Sequence, residues 1–458
     1  MGQEDLQKLP SVHELMERLA GDAFPHALAR QACRSVIDAE RRRILSGGSA
    51  RPPEELREEA AREASELAST SLGPVVNATG IILHTAFGRA CLPEAAATAL
   101  ESVSRGYCSL QWDWESGARG ERDAHVEWLL TEMTGAEAAT VVNNNAGATM
   151  LVLAAMARGM EVIVSRGQLV EIGGSFRIPE VMLQSGAVMR EVGCTNRTHL
   201  RDYGDAVTDR TAALMRVHPS NYRIRGFAGE VPLEDLVALG REHGIPVIDD
   251  LGAGALVDLS LLGLPTEPTI ADSIRKGASV VCSSGDKLIG GPQAGLIVGR
   301  REYIDRIRKH PLARALRVCK LTLAALEATL KLFLEDLECL KRDHPVYAMI
   351  SEPPDSIRER ACRLAGLIGL PAGVEAAVVP SDSYMGSGAL PDTAIPSWAV
   401  EIRCPDPEAL ARALRSGRPA VAGRIESDRF LADMRTVPED LVEKLADRIG
   451  GAASALWA

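Results

Sequence analysis

No stretch of this chain stays apolar for the roughly twenty residues that a helix needs to cross a bilayer, so no membrane-spanning helix is expected. Nor does it open like a secretory leader, since Met1-Gly2-Gln3-Glu4-Asp5 is acidic. The expected location is the cytoplasm. Cysteine is present but unorganised: the nine are scattered, odd in number and without a Cys-x-x-Cys pair, which indicates neither a disulfide framework nor a zinc site. An excess of basic residues is lacking too. With 51 Lys and Arg against 62 Asp and Glu, the net charge of −11 argues by itself against a nucleic-acid partner and confines any RNA binding to local basic patches. No short-period repeat is visible. What remains is the composition of a soluble globular protein, 46% hydrophobic and 25% charged, whose 458 residues suffice for two or three domains.

The chain is organised around Cys282-Ser283-Ser284-Gly285-Asp286-Lys287-Leu288-Ile289-Gly290-Gly291-Pro292-Gln293-Ala294-Gly295. Ala278 to Cys282 is β-branched and apolar enough for a short buried strand, and Gly290-Gly291-Pro292 turns the backbone out of regular structure just after the lysine. Lys287 is therefore expected at a strand end on a tight turn. A buried lysine loses its proton more readily than a solvated one, which a Schiff base with an aldehyde cofactor such as pyridoxal phosphate (PLP) requires. The plainer reading, a solvated lysine in a glycine-rich hairpin, loses weight because a short strand upstream, Pro246 to Asp250, ends in Asp249 and Asp250. PLP enzymes use a carboxylate there to keep the pyridine nitrogen protonated. Which of the two aspartates does so is left open. A third stretch, Thr140 to Thr149, runs from a strand through Asn143-Asn144-Asn145-Ala146 into an apolar helix, Met150 to Ala157. Its N-terminus offers N–H groups and positive dipole to a phosphate, although Asn-rich turns are also ordinary helix caps. Together the three stretches make PLP the leading cofactor.

Taken in order, residues 1–70 read as a helical module. Ser11-Val12-His13-Glu14 has capping-box spacing, a helix ends in Arg41-Arg42-Arg43, Ser46 to Pro53 is a linker, and a charged helix follows from Glu54 to Leu67. Ten Lys or Arg stand against thirteen Asp or Glu over those residues, so charge alone makes the arginine triplet a solvated face. Residues 71–340 alternate strands and helices, with short strands at Val162–Ser165, Val188–Glu191, Ala213–His218, Pro246–Asp250, Ser279–Cys282 and Gly295–Val298. That alternation implies a mainly parallel sheet covered by helices. A long helix is expected from Lys320 to about Leu340. Residues 341–458 read as a small α/β domain, with a helix at Ile357–Leu367 and strands at Ala377–Val379 and Trp398–Ile402.

Other residues carry weaker signals. Arg89 follows a glycine-bearing turn and could clamp an oxyanion or form a structural ion pair. Arg314 and Arg317 stand at i, i+3, on one helix face, as an anion site or a solvated pair. His218, Ser220 and Asn221 close a strand near the expected cofactor, where Asn221 could bond the PLP phenolate and His218 could simply be packed. His84 carries the same two readings. Asp286 could cap a turn or handle a substrate hydroxyl.

These stretches, with Leu9-Pro10-Ser11-Val12, Asn77-Ala78-Thr79-Gly80, Gly117-Ala118-Arg119-Gly120, Glu171 to Pro179, Thr195-Asn196-Arg197-Thr198, Ser220-Asn221-Tyr222 and Leu323 to Leu330, carry a resemblance over nearly the whole chain. The chain resembles the bacterial selenocysteine synthases, the L-seryl-tRNA(Sec) selenium transferases, which are PLP enzymes of the aspartate-aminotransferase fold. The resemblance implies that Lys287 carries PLP, Asp250 faces the ring nitrogen, and Asn144, Asn145, Ala146, Ser284, Asn221 and His218 bind the cofactor. It implies that Lys287, Asp286 and Asp250 are catalytic, that Arg89, Arg314 and Arg317 hold selenophosphate, that residues 1–70 hold the tRNA, and that the chain assembles as a homodecamer. The implied reaction converts L-seryl-tRNA(Sec) to L-selenocysteinyl-tRNA(Sec), by loss of water to an aminoacrylyl ester followed by selenium addition. Two departures, Ala86 where the family has asparagine and Val318-Cys319 where an acidic residue precedes the lysine, touch only neighbouring contacts. The competing expectations are a PLP lyase or aldolase on a small amino or sugar acid, and an RNA-binding scaffold on an inactive PLP fold.

Overall fold

The structure, a computed structural model, describes residues 2–19, 24–174 and 176–458. Ser175, within the 171–179 word, lies outside the described residues. The chain forms two compact units that divide between Val75 and Val76.

The first unit is helical: α1 (Gly2–Gln7), α2 (Val12–Arg18), α3 (His26–Leu45) and α4 (Pro53–Ala68). The capping box forms as its spacing predicts, with Ser11 Oγ accepting from the Glu14 N–H and the Glu14 carboxylate accepting from the Ser11 N–H. Cys33, Val36 and Ile37 of α3 close a small core with Leu15, Leu19, Leu56 and Ala60. The segment between α3 and α4 is tied down by Glu40, a fully buried carboxylate. It accepts from Arg43 Nη2 (2.6 Å) and Nε (2.9 Å) and from the Arg51 backbone N–H (2.9 Å) and Nε (2.8 Å). Those charge-assisted bonds hold the Glu40 carboxyl down to a pKa of about 2. One member of the arginine triplet, Arg43, is thus committed to holding the fold.

The second unit is built on a seven-stranded sheet: β1 (Ala138–Val142), β2 (Glu161–Ser165), β3 (Val188–Val192), β4 (Thr211–Val217), β5 (Val247–Gly252), β6 (Val280–Ser284) and β7 (Gly295–Gly299). Its order is β1-β7-β6-β5-β4-β2-β3, and only β7 runs antiparallel to its neighbours. Apolar side chains from both faces pack against covering helices, so β6 is buried along its whole length and β5 as far as Leu251, as near-continuous apolar runs require. This is the mainly parallel, helix-covered α/β sheet of the aspartate-aminotransferase-like class that the sequence leads one to expect. Helix α5 (Asn145–Ala157) follows β1 and is buried on nearly every side. It starts five residues before the expected Met150, because the Asn144 side chain caps it by accepting from the Gly147 N–H at 2.8 Å.

Beyond the sheet come α6 (Pro311–Ala315), α7 (Lys320–Lys331), α8 (Leu337–Asp343) and α9 (Pro345–Ser351). The single long helix expected from Lys320 to Leu340 is therefore broken. Residues 332–334 tighten into a 3-10 turn, and Asp336 caps a new helix by accepting from the Cys339 N–H at 2.8 Å. Arg317 lies past the end of α6, paired by backbone with Val142, so it does not share a helix face with Arg314. The C-terminal part of the chain carries an antiparallel sheet of β8 (Glu375–Ser383), β9 (Ile395–Arg403), β10 (Arg424–Glu426) and β11 (Arg429–Asp433), in the order β8-β9-β11-β10, and ends in a helix over Val442–Trp457. Its two longest strands extend well beyond the expected 377–379 and 398–402 cores, because polar residues such as Ser381, Ser383 and Ser397 stay within the ladder and bond Asp433.

Candidate active site

The carboxyl ends of β1, β4, β5 and β6 open onto one cavity of about 340 Å³. In an open α/β sheet this is the edge where ligands bind, because the strands' ends and the following loops leave a crevice there. Lys287, Asp286, Asp250, Asn144, Asn145, Ala146, Ser284 and His218 all line it, and so does Arg89.

Lys287 follows β6 on the tight turn expected of it and is only 6% exposed. Burial pushes its amine below the ordinary lysine value, the nearby Arg89 charge pushes the same way, and Asp286 and Asp250 oppose both. Asp286 is engaged by Arg89, whose Nη1 donates to Oδ2 at 2.6 Å. Arg89 reaches it from a left-handed residue, φ 65°, directly after Gly88 at φ 90°. The arginine's structural ion pair and its place in the cavity thus coexist.

Strand alternation separates the two aspartates that the sequence leaves open. Asp250 faces the cavity, where its Oδ1 accepts from Asn145 Nδ2 (2.8 Å) and the Gly252 N–H (3.2 Å) and its Oδ2 accepts from Thr149 Oγ1 (2.8 Å). Burial raises its pKa, while those three hydrogen bonds favour the ionised form. Asp249 turns to the other face, against Arg216 Nη1 (3.0 Å) and Ser273 Oγ (2.6 Å). Thr149 was not singled out in the sequence, yet it stands one turn after Asn145 and so shares its helix face.

At the start of α5, the Gly147 N–H is taken by the Asn144 side chain and the Ala148 N–H by the Asn144 carbonyl. The preceding Asn145 and Ala146 N–H groups have no intrahelical acceptor and lie at the cavity wall. Asn145 Oδ1 and Ser220 Oγ are buried without a partner, so polar atoms beside the cavity await one. His218 lines the cavity and is held through Nε2 by Glu267 at 3.0 Å, a partner that sequence distance hid. Part of the remaining wall comes from Ile172, Gly173 and Phe176, beside the paired strands Glu171–Ile172 and Phe176–Arg177, a stretch to which the sequence assigned no role.

Three expected residues are not brought to the cavity. Asn221 donates through Nδ2 to the Glu171 carbonyl at 2.9 Å, leaving its Oδ1 buried and unpartnered. Arg314 and Arg317 are exposed. The segment that carries Arg317 nevertheless runs beside the turn into α5, since the Asn143 N–H donates to the Leu316 carbonyl at 2.8 Å. Among the described residues no cluster of His, Cys, Asp and Glu could hold a metal ion, and no helix is long and apolar enough to cross a membrane.

Comparison with known proteins places this architecture. The structure of D-glucosaminate-6-phosphate ammonia-lyase shares the fold, with a TM-score of 0.58 at 20% identity over 85% of this chain and 98% of that one. Sequence similarity is much closer to L-seryl-tRNA(Sec) selenium transferases: 47% identity with that of Solidesulfovibrio magneticus over 96% of both chains, and 46% with that of Moorella thermoacetica over 98% of this chain and 97% of that one. A family model described as L-seryl-tRNA selenium transferase matches residues 75–438, so the chain belongs to the L-seryl-tRNA selenium transferase family.

Proposed function

We propose that this protein is a PLP enzyme that converts L-seryl-tRNA(Sec) to L-selenocysteinyl-tRNA(Sec) with selenophosphate as selenium donor. The observation that carries the reading is the convergence of a buried lysine, a buried carboxylate and a helix N-terminus on one cavity at the sheet's carboxyl edge. Those groups fit the cofactor's three functional ends. Lys287 would hold the aldehyde end, Asp250 the ring nitrogen, and the Asn145 and Ala146 N–H groups with the polar side chains of Asn144 and Ser284 the phosphate. His218, which lines the cavity, would lie beside the ring, whereas Asn221 is held to the Glu171 carbonyl. When bound, PLP supplies an electron sink for the pair released from the seryl Cα–H bond.

The chain's own groups do the rest. Lys287, whose amine burial shifts towards the neutral form, would take the Cα proton. Its ammonium form would then protonate the departing β-hydroxyl, since hydroxide is a poor leaving group, while the Asp286 carboxylate, paired with Arg89, can accept a hydrogen bond from that hydroxyl. Arg89 holds Asp286 in place and presents its remaining N–H donors to the selenium donor's oxyanions. Arg314 and Arg317 complete that anion site in the assembled oligomer, at least a dimer and by family a homodecamer.

We assign tRNA binding to residues 1–70, PLP binding to residues 71–340 and the small domain to residues 341–458, in a cytoplasmic protein. Charge within the first unit supports the tRNA assignment better than its total suggests. Helix α3 carries five Arg against Asp38 and Glu40, whereas α4 carries six Glu against two Arg. Arg30, Arg34 and Arg41 are exposed and lie within about 40° of one another around the helix, a stripe suited to a phosphate backbone. The direct test is Lys287→Ala: added PLP should produce no protein-bound aldimine absorbance with the variant, and turnover should fall by about a thousandfold or more. A colourless wild-type protein, or an active variant, would reject the reading.

A further inference from the structure

The turn that carries Lys287 is held from behind by two buried side chains of a different part of the chain. The Tyr347 hydroxyl donates to the Leu288 carbonyl at 3.0 Å, and His344 Nε2 bonds the Ile289 carbonyl at 3.0 Å. These are the two carbonyls that directly follow the lysine. Neither receives a backbone N–H among the described residues, because the Gly290 N–H is given to the Lys287 carbonyl and the Gly291 N–H to the Gly285 carbonyl. Both donors are fully buried, and their rings meet each other and Phe333 edge to face, at centroid distances of 5.0 and 5.6 Å.

The fit leaves no slack. Gly290 sits at φ 67°, and a Cβ there would stand 2.1 Å from His344 Cε1, so the histidine packs directly on the backbone of the turn. Lys287 is buried but makes no ion pair and no side-chain hydrogen bond among the described residues, so the backbone of the turn sets the direction in which its side chain leaves. A buried carbonyl deprived of its donor carries the cost of desolvation, so loss of either ring's hydrogen bond favours a rearranged turn.

We propose that His344 and Tyr347 are positioning residues for Lys287: by bonding the Leu288 and Ile289 carbonyls they lock the turn and aim the lysine amine into the cavity. Neither side chain lines that cavity, so they act through the backbone. The inference rests on Lys287 being the reactive amine, but its test can be read without cofactor or substrate.

Tyr347→Phe keeps the ring packing and removes one donor, His344→Leu removes the other, and His344→Gln retains an N–H. Phe333→Leu loosens the same cluster without removing a donor. In the cofactor-free protein, the pH midpoint for labelling Lys287 with an amine-selective reagent, read by peptide mass spectrometry, should rise in Tyr347→Phe and His344→Leu as the amine gains water. It should stay at the wild-type value in Phe333→Leu and return towards it in His344→Gln. In the loaded enzyme the first two variants should lose about tenfold in kcat with little change in KM. Unchanged labelling midpoints in Tyr347→Phe and His344→Leu would overturn the proposal, as would an equal shift in Phe333→Leu, which would reduce both residues to core packing. Shifted midpoints in a protein inactive on seryl-tRNA would leave the positioning role standing and count against the proposed reaction instead.

Discussion

At the scale of single residues, two electrostatic relations decide the chemistry of the site. The first is between Arg89 and Lys287. A positive charge beside a buried amine favours its neutral form, and Arg89 also neutralises Asp286, which would otherwise favour the ammonium. Arg89→Ala removes the first effect and unmasks the second, so both push the Lys287 pKa up towards the ordinary value of 10.5. The rate of PLP uptake by cofactor-free protein should therefore rise with pH through a midpoint that is higher in Arg89→Ala than in wild type. A midpoint that stays or falls would contradict this. The second is the pairing proposed for Asp250 and the ring nitrogen. Asp250→Asn keeps the shape and much of the hydrogen bonding to Asn145 and Thr149 but removes the charge. PLP should still bind and kcat should fall by about a hundredfold or more. Single-turnover kinetics showing wild-type rates would exclude Asp250 from the role.

At the scale of elements, the sequence was most legible where one physical signal acted alone. The strands carrying Asp250 and Ser284 read as buried because they are short apolar runs ending at glycine, and each lies within a residue or two of its expected bounds. The capping box at Ser11 was equally plain. What could not be read were contacts set by tertiary structure: Glu267 behind His218, Thr149 on Asp250, and the break at residues 332–336, where leucine periodicity continues through a change of axis. Arg43 is the sharpest case. In sequence it belongs to a basic triplet, but in the fold it clamps Glu40, whose carboxyl is buried between Arg43 and Arg51. Because that carboxyl's folded pKa of about 2 lies below its ordinary 4.5, its stabilising effect is fully present above about pH 4.5 and is lost as pH falls through about 2. Hydrogen exchange over α3 and α4 should therefore quicken across that window in the wild type. In Glu40→Gln the two helices should exchange faster at neutral pH, with the pH step gone. Identical profiles would mean that the clamp contributes nothing.

At the scale of the whole molecule, the proposed tRNA role has to be reconciled with a net charge of −11. The polarisation of the first unit supports that proposal, with basic side chains gathered on α3 and acidic ones on α4. Replacing Arg30, Arg34 and Arg41 together by Ala should weaken seryl-tRNA(Sec) binding and make the plot of log affinity against log salt shallower by about two to three, while PLP binding at Lys287 stays intact. Replacing Arg43 should act instead through the stability of α3. Deleting residues 1–50 should weaken tRNA binding more than either, and a truncated protein that converted seryl-tRNA as well as the full chain would remove the tRNA role from this unit. The claim that joins all three scales is the reaction itself, and the most direct measurement is the amino acid recovered from tRNA(Sec) after incubating purified protein with PLP, seryl-tRNA(Sec) and selenophosphate. Mass spectrometry should find selenocysteine with the wild-type protein and serine with Lys287→Ala; serine from both, or selenocysteine from both, would contradict the account.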